Sequence, residues 1–88
     1  QGAAELLYGM ASIFASMQAE GEAMAYLRLA LMLREDMTIA RYMLAMLQEQ
    51  AKDYDNALKN YEAIPKKDVL YRKAQLREAY VHAARKDK

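Results

Sequence analysis

Residues 44–61 read LAMLQEQAKDYDNALKNY, and residues 10–27, which lie 34 positions earlier, read MASIFASMQAEGEAMAYL. Similar residues recur in pairs at this offset: Ala11 and Ala45, Ala23 and Ala57, Leu27 and Tyr61, Tyr8 and Tyr42, Ala40 and Ala74, and Leu47 and Val81. A fixed period of this size predicts a stacked array of helical units. The small residues among these pairs, Ala11, Ala23, Ala45 and Ala57, are expected where two helices approach closely. Arrays of this kind usually present surfaces to partners and rarely carry chemistry.

The composition favours an all-α fold. The chain has 88 residues, which is enough for one small domain. It contains one proline and three glycines, so few positions interrupt regular structure. Alanine, leucine, methionine, glutamate, lysine, glutamine and arginine dominate, and these residues have the highest helix propensities.

The charge distribution is uneven but disfavours nucleic acid as a partner. The formal net charge is +1; residues 1–50 hold three basic and six acidic side chains, and residues 51–88 hold ten basic and six acidic ones. The second part is therefore mildly basic, while the whole chain is too close to neutral to predict nucleic-acid binding. No apolar run approaches the roughly 20 residues that a membrane span needs.

Residue types that carry catalysis or bind metals are scarce. The chain has no cysteine, which excludes disulfides and thiolate chemistry. His82 is the only histidine, and no second histidine or cysteine stands near it to complete a metal site. We therefore expect no enzymatic activity, no metal, no cofactor and no small-molecule substrate. The chain begins at Gln1 rather than methionine, so we expect a fragment of a longer chain, and its compartment stays undecided.

Apolar residues at three- and four-residue steps predict five helices, at about 3–17, 22–33, 37–51, 55–63 and 69–85. Gly21 is expected to supply backbone freedom in the first turn, and Pro65 is expected to end the fourth helix. Three aspartates that precede predicted helices are candidate N-caps: Asp36, Asp53 and Asp68. The short connections make neighbouring helices antiparallel. The tail 86–88 is expected to fray.

The segment that runs from Leu44-Ala45 through Lys52-Asp53-Tyr54-Asp55-Asn56-Ala57-Leu58 to Tyr61 resembles the signature of the tetratricopeptide repeat family. An earlier repeat matches the same signature through Met10-Ala11, Phe14, Glu22-Ala23, Leu27 and Ala30. A third repeat is half present, through Ala74, Ala79 and Val81. The chain departs from the family pattern at Glu20, Glu35, Lys52 and Glu78, and the last of these falls on a position that is usually apolar.

The resemblance implies a right-handed solenoid of helical hairpins. It places a single domain at residues 1–88. One helix-turn-helix repeat is expected at about 4–37, a second at about 38–67, and a terminal capping helix at about 68–85.

The resemblance also implies a binding groove, because the first helix of each repeat lines the concave side of such arrays. It places eight residues of this chain there: Tyr8, Ser12, Tyr42, Met43, Met46, Lys73, Arg77 and Tyr80. Tyrosine combines an apolar ring with a polar tip, and methionine adapts to irregular partners. We therefore expect a scaffold that binds a protein or peptide. The spacing itself favours the plainer alternative, in which the tyrosines and methionines pack between helices.

One version of the family grips the C-terminal carboxylate of chaperones through five side chains. Lys73 and Arg77 fall on two of those positions and have suitable chemistry. The other three positions hold Tyr8, Ser12 and Met43, which cannot supply the lysine and asparagine donors. We therefore expect no binding of chaperone tails.

Two other functions stay open. The chain could be a structural segment of a longer solenoid or a self-associating module, because the outer faces of the first and last helices lack a neighbour. Apolar residues expected at these ends are Leu6, Leu7, Ile13, Phe14, Val69 and Leu70. Polar side chains on the fifth helix argue instead that it caps the stack. An RNA-binding helical repeat is a less favoured third function, because acidic residues interrupt the basic cluster.

Overall fold

The computed structural model describes residues 2–86 and contains five α-helices and no strand within that range. The helices are α1 (Ala3–Ser16), α2 (Glu20–Leu33), α3 (Thr38–Gln50), α4 (Tyr54–Glu62) and α5 (Tyr71–Lys86). The predicted all-α fold is confirmed, and the predicted helix ends agree to within one or two residues. Of the tail expected to fray, Asp87 and Lys88 lie outside the described residues.

The turns after α1 and α3 have the same geometry, 34 residues apart, and Gly21 has no part in either. Gln18 and Lys52 adopt the left-handed conformation, with φ of 63° and 66°. Beyond each of them a backbone N–H closes the helix end: Ala19 donates to the Phe14 carbonyl and Asp53 donates to the Gln48 carbonyl, both at 2.8 Å. The prediction for Gly21 was wrong, because it lies inside α2 with helical backbone.

Glycine at either left-handed position should stabilise the protein. A residue with a side chain costs about 1–2 kcal/mol in this conformation. Replacing it with glycine removes that cost, but part of the gain is lost because glycine has more conformational entropy in the unfolded chain. We expect Gln18→Gly and Lys52→Gly each to raise the free energy of unfolding by about 0.5–1 kcal/mol, measured by urea denaturation. Lys59→Gly, at an exposed position inside α4, is the matched control and should be destabilising by about 0.5–1 kcal/mol. A loss of stability at both turn positions would contradict this geometry.

The three candidate N-caps behave differently. Asp36 was predicted wrongly, since Met37 occupies the N-cap position of α3 and no side chain caps it. Asp53 does occupy the N-cap of α4, but its carboxylate accepts a hydrogen bond from Asn56 Nδ2 rather than from the backbone. Asp68 lies ahead of α5 and accepts from the Leu70 N–H at 2.9 Å.

The Asp68 carboxylate also connects the segment before α5 to the start of α3. Thr38 Oγ1, at the start of α3, donates to Asp68 Oδ2 at 2.7 Å. This hydrogen bond, followed by the one from the Leu70 N–H, lowers the pKa of Asp68 below its ordinary value. A lowered carboxylate pKa contributes stability above the unfolded-state value, and that contribution is lost as the pH falls through the folded-state value.

The core divides into two clusters of buried residues. The first joins α1 and α2 to one side of α3: Ala4, Ala11, Ala23, Leu27, Ala30, Met37, Ala40, Leu44 and Leu47. The second joins the other side of α3 to α4 and α5: Ala45, Ala57, Leu58, Tyr61, Ile64, Ala74 and Val81. The four alanines expected where helices approach closely, Ala11, Ala23, Ala45 and Ala57, are fully buried.

Each helix packs mainly against its neighbours along the chain. The helix pairs that lie close along their backbones are α1 and α2, α2 and α3, α3 and α4, and α4 and α5. The structure measures 40 × 31 × 18 Å, and its radius of gyration of 12.7 Å is close to the ~12 Å of a compact domain of this length. The helices thus pack in chain order into one compact structure, and α3 contributes residues to both clusters.

Candidate partner-binding surface

The eight predicted site residues lie on α1, α3 and α5 at equivalent helical positions. Met43 and Arg77 are 34 residues apart, as are Tyr8 and Tyr42. Ser12, Met46 and Tyr80 form a third set at the same offset. Residues that share a position in equivalent helices point to the same side of their helices. We call the surface formed by these eight residues the groove surface.

Tyr8, Tyr42, Met43 and Met46 of the groove surface are half-buried, so each contributes to packing as well as to the surface. Tyr8 and Met43 pack against the first cluster. Tyr42 and Met46 pack against the second. The Tyr42 ring meets the Tyr61 ring edge-on at a centroid distance of 5.8 Å, a favoured aromatic geometry. Truncating Tyr42 would therefore disturb the core, whereas the methionine ends are better probes of the surface.

Arg77 is already paired with a carboxylate of its own chain. Its Nη2 donates to Glu49 Oε2 at 2.6 Å and its Nε donates to Glu49 Oε1 at 3.3 Å. The hydroxyl of the buried Tyr61 donates to the same Oε1 at 2.9 Å. The Glu49 carboxylate raises the pKa of Arg77, and burial, followed by the bond to Glu49, raises the pKa of Tyr61. Glu49 thereby links α3, α4 and α5.

Tyr80 and Lys73 are the most accessible members of the groove surface. The Tyr80 side chain is 53% exposed, and the Arg77 guanidinium lies over its ring, with Cζ 5.1 Å from the centroid. Lys73 is exposed and forms no ion pair within residues 2–86. Arg77 and Tyr80 are thus brought together beside Glu49, and Lys73 leaves one free positive charge at the edge of the surface.

Sequence reasoning missed Glu49 as the organising residue of this region. It follows Tyr42 and Ala45 at helical spacing, so it belongs to a face of α3 that is otherwise packed against the second cluster. A carboxylate on such a face requires a positive partner. This requirement could have identified Glu49 from the sequence as one half of an ion pair. Its partner is 28 residues away, so the sequence did not indicate which basic residue it is.

A polar depression of about 550 Å³ lies away from the groove surface, among residues of α2, α3 and α4. Asn60 organises its floor by donating to Gln48 Oε1 at 2.7 Å and accepting from Arg41 Nη1 at 3.1 Å. Arg41 also donates to the Glu35 carbonyl at 3.2 Å. Because these side chains satisfy one another, the network reads as a structural tie between α3 and α4.

Glu78 is a half-buried carboxylate on the face of α5 that packs against α4. It lies between Ala74 and Val81, which are both buried, and its equivalent in α3 is Leu44. Burial raises the pKa of the Glu78 carboxyl, and the negative charge of Glu62 raises it further. The sequence placed Glu78 on a position that is usually apolar, and the structure shows that this face is indeed packed. The carboxylate therefore loses part of its hydration on folding.

Replacing Glu78 with leucine should stabilise the protein at neutral pH. A raised carboxyl pKa means that the group favours folding only below its unfolded-state value, and that contribution is lost as the pH rises through the folded-state value. We expect Glu78→Leu to add about 1 kcal/mol at pH 7 by burying apolar surface, with a smaller gain near pH 4. Urea denaturation at both pH values measures the effect. Glu78→Gln is the control that removes the charge alone, and equal gains from leucine at the two pH values would contradict the assigned cost.

Neither a metal cluster nor a membrane-spanning helix occurs within residues 2–86. Within residues 2–86, no three His, Cys, Asp or Glu side chains are grouped closely enough to hold a metal ion. No helix in that range has both the length and the apolar character needed to cross a bilayer. The groove surface offers aromatic and thioether contacts and one free ammonium group.

Comparison with known proteins gives no independent assignment. No protein-family model matches the chain, and no curated protein matches it.

Proposed function

We propose that the chain is a protein–protein interaction scaffold that binds a peptide or partner helix on the groove surface. The observation that carries the proposal is that Met43 and Met46 of α3 are equivalent, at the 34-residue offset, to Arg77 and Tyr80 of α5. All four keep part of their side chains accessible. Tyrosine, methionine and arginine are enriched in protein interfaces.

The proposed architecture behind this surface is the right-handed helical-hairpin solenoid of tetratricopeptide repeat type. Three features support it. Helices adjacent in the chain make the extensive contacts. Residues 34 apart share burial, as Leu27 and Tyr61 do at 0% and 1% exposure. The left-handed turn residues Gln18 and Lys52 also recur at that offset.

The charges of the groove surface describe the partner further. Because Glu49 neutralises Arg77, the free positive charge comes from Lys73. The partner we propose therefore offers apolar side chains to Met43, Met46 and Tyr80 and a single acidic group to Lys73. The paired Arg77 also argues against a partner held mainly by a terminal carboxylate.

Truncating two groove residues should weaken binding strongly. We expect the double variant Met46→Ala/Tyr80→Ala to bind a peptide selected from a random displayed library at least about tenfold more weakly. Isothermal titration calorimetry measures the affinity, and circular dichroism confirms that the variant is folded. Met32→Ala is the matched control, because Met32 is 79% exposed and lies on α2, outside the groove surface. Equal losses from Met32→Ala and the double variant, or failure to select any peptide, would refute the proposal.

A further inference from the structure

The outer face of α1 is apolar and uncovered. We call the surface made by Leu6, Met10, Ile13 and Met17 the N-terminal end face; these side chains are 69%, 38%, 57% and 66% exposed. A contiguous set of large apolar side chains at this exposure is unusual on a monomer and marks an interaction surface.

The 34-residue equivalence shows what this face is suited to contact. The residues of α3 equivalent to Leu6, Met10 and Ile13 are Ala40, Leu44 and Leu47, which are 0%, 4% and 7% exposed. In α3 these residues belong to the cluster that also contains Leu27 and Ala30 of α2. The same face that packs on the preceding helix in α3 is therefore left open in α1.

The opposite end of the structure has a second open face. We call the surface made by Leu76, Ala79, Tyr80 and Ala83 of α5 the C-terminal end face; all four are exposed. The equivalent residues of α3 are Tyr42, Ala45, Met46 and Glu49, and the first three contribute to the cluster shared with α4. This face of α5 thus corresponds to the side of α3 on which the next helix packs. Its four residues are apolar or aromatic, so it does not form a polar cap.

The charges around the two faces are complementary. Helices α1 and α2 carry Glu20 and Glu22 against Arg28, in addition to Glu5, which is paired with Arg34. Helix α5 carries Arg72, Lys73 and Lys86 against Glu78, in addition to Arg77 and Arg85, which are paired with Glu49 and Asp55. Pairing two copies through the same face would bring like charges together, whereas pairing unlike faces brings opposite charges together.

We propose that a second copy of this chain packs its N-terminal end face on the C-terminal end face of the first. The contact is head-to-tail, so each copy in a pair keeps one free face, and further copies add to form open-ended oligomers. The C-terminal end face shares Tyr80 with the groove surface, so the test uses Ile13 and Ala79, which lie outside the groove surface and keep the two proposals distinguishable.

The test combines two variants that each block one face. Ile13→Glu and Ala79→Glu both place a carboxylate at exposed positions, so folding is preserved, which circular dichroism checks; Met17→Glu is the second N-terminal variant. Each should weaken association by more than about a hundredfold, since each variant places a carboxylate in the middle of an apolar contact, where losing its hydration is costly. Leu29→Glu and Ala25→Glu are matched controls at exposed positions of α2 and should associate as the natural sequence does. Sedimentation velocity over about a hundredfold range of concentration measures mass.

Five results support or overturn the proposal. The natural sequence should grow beyond a dimer as its concentration rises, and each single variant should stay monomeric. A mixture of Ile13→Glu and Ala79→Glu should form a one-to-one dimer and stop there, because only one intact pair of faces remains. A dimer of Ala79→Glu alone would show pairing through two N-terminal end faces and overturn the proposal. A natural sequence that stays monomeric at every concentration would overturn it as well.

Discussion

Leu27→Ala and Tyr61→Ala should each lower the free energy of unfolding by about 3 kcal/mol or more, the largest effect expected for single substitutions in this chain. The two residues are 34 apart, are 0% and 1% exposed, and belong to the first and second cluster respectively. Removing either side chain leaves a cavity among close-packed alanines that cannot collapse around it. Small domains are stable by only about 5–15 kcal/mol, so either variant loses a large share of its stability.

The two core variants should also differ in where they loosen the structure. In an array whose units contact only their neighbours, stability is a sum of local terms. Leu27→Ala should therefore speed amide hydrogen exchange first in α1 and α2, and Tyr61→Ala first in α4 and α5. Urea denaturation gives the overall loss, and Leu29→Ala, at 45% exposure, is the control with an expected change under about 0.5 kcal/mol. Identical exchange patterns in the two core variants would contradict a chain of neighbouring units.

Glu49→Ala should cost about 2–4 kcal/mol, although glutamate is a charged residue on a helix surface. The loss is large because the substitution removes the acceptor of both the buried Tyr61 hydroxyl and the Arg77 guanidinium. The side chains of Glu49 and Arg77 are 16% and 35% exposed, so solvent replaces the carboxylate only in part. Thermal unfolding measures the loss. Gln50→Ala, at the next and exposed position, should change stability little.

A double-mutant cycle separates the ion pair from general damage to α3. If Glu49 acts through Arg77, the combined variant Glu49→Ala/Arg77→Ala should lose less than the sum of the two single losses. Additive losses would show that the ion pair between Glu49 and Arg77 has no coupling energy. The stability lost in Glu49→Ala would then have another cause.

The helices and the buried alanines could be predicted from the sequence because both follow from local spacing. Ala11 and Ala45 were assigned to close helix approaches by the repeat alone, and both are fully buried. The period also aligns Gln18 with Lys52, the two left-handed turn residues. Neither is glycine, so composition drew attention to Gly21 instead, where the backbone is helical.

The interactions that join distant segments could not be predicted in the same way. Glu49 bonds Arg77 across 28 residues, and Thr38 bonds Asp68 across 30 residues. Such pairs depend on how helices cross and which rotamers are free, and neither is encoded in a local pattern. The candidate surface was placed by resemblance to a family. The structure adds that Tyr8, Tyr42, Met43 and Met46 are half-buried and that Tyr80 is exposed.

Methyl NMR of the methionines offers the most direct test that a partner binds on the groove surface. The seven methionines sample different environments: Met43 and Met46 lie on the groove surface, Met10 and Met17 on the N-terminal end face, Met32 on exposed α2, and Met24 and Met37 in or against the core. On titration with the selected peptide, the methyl signals of Met43 and Met46 should shift in a saturable way while that of Met32 stays in place. Saturable shifts at Met32, Met10 or Met17 with Met43 and Met46 unchanged would contradict binding in the groove.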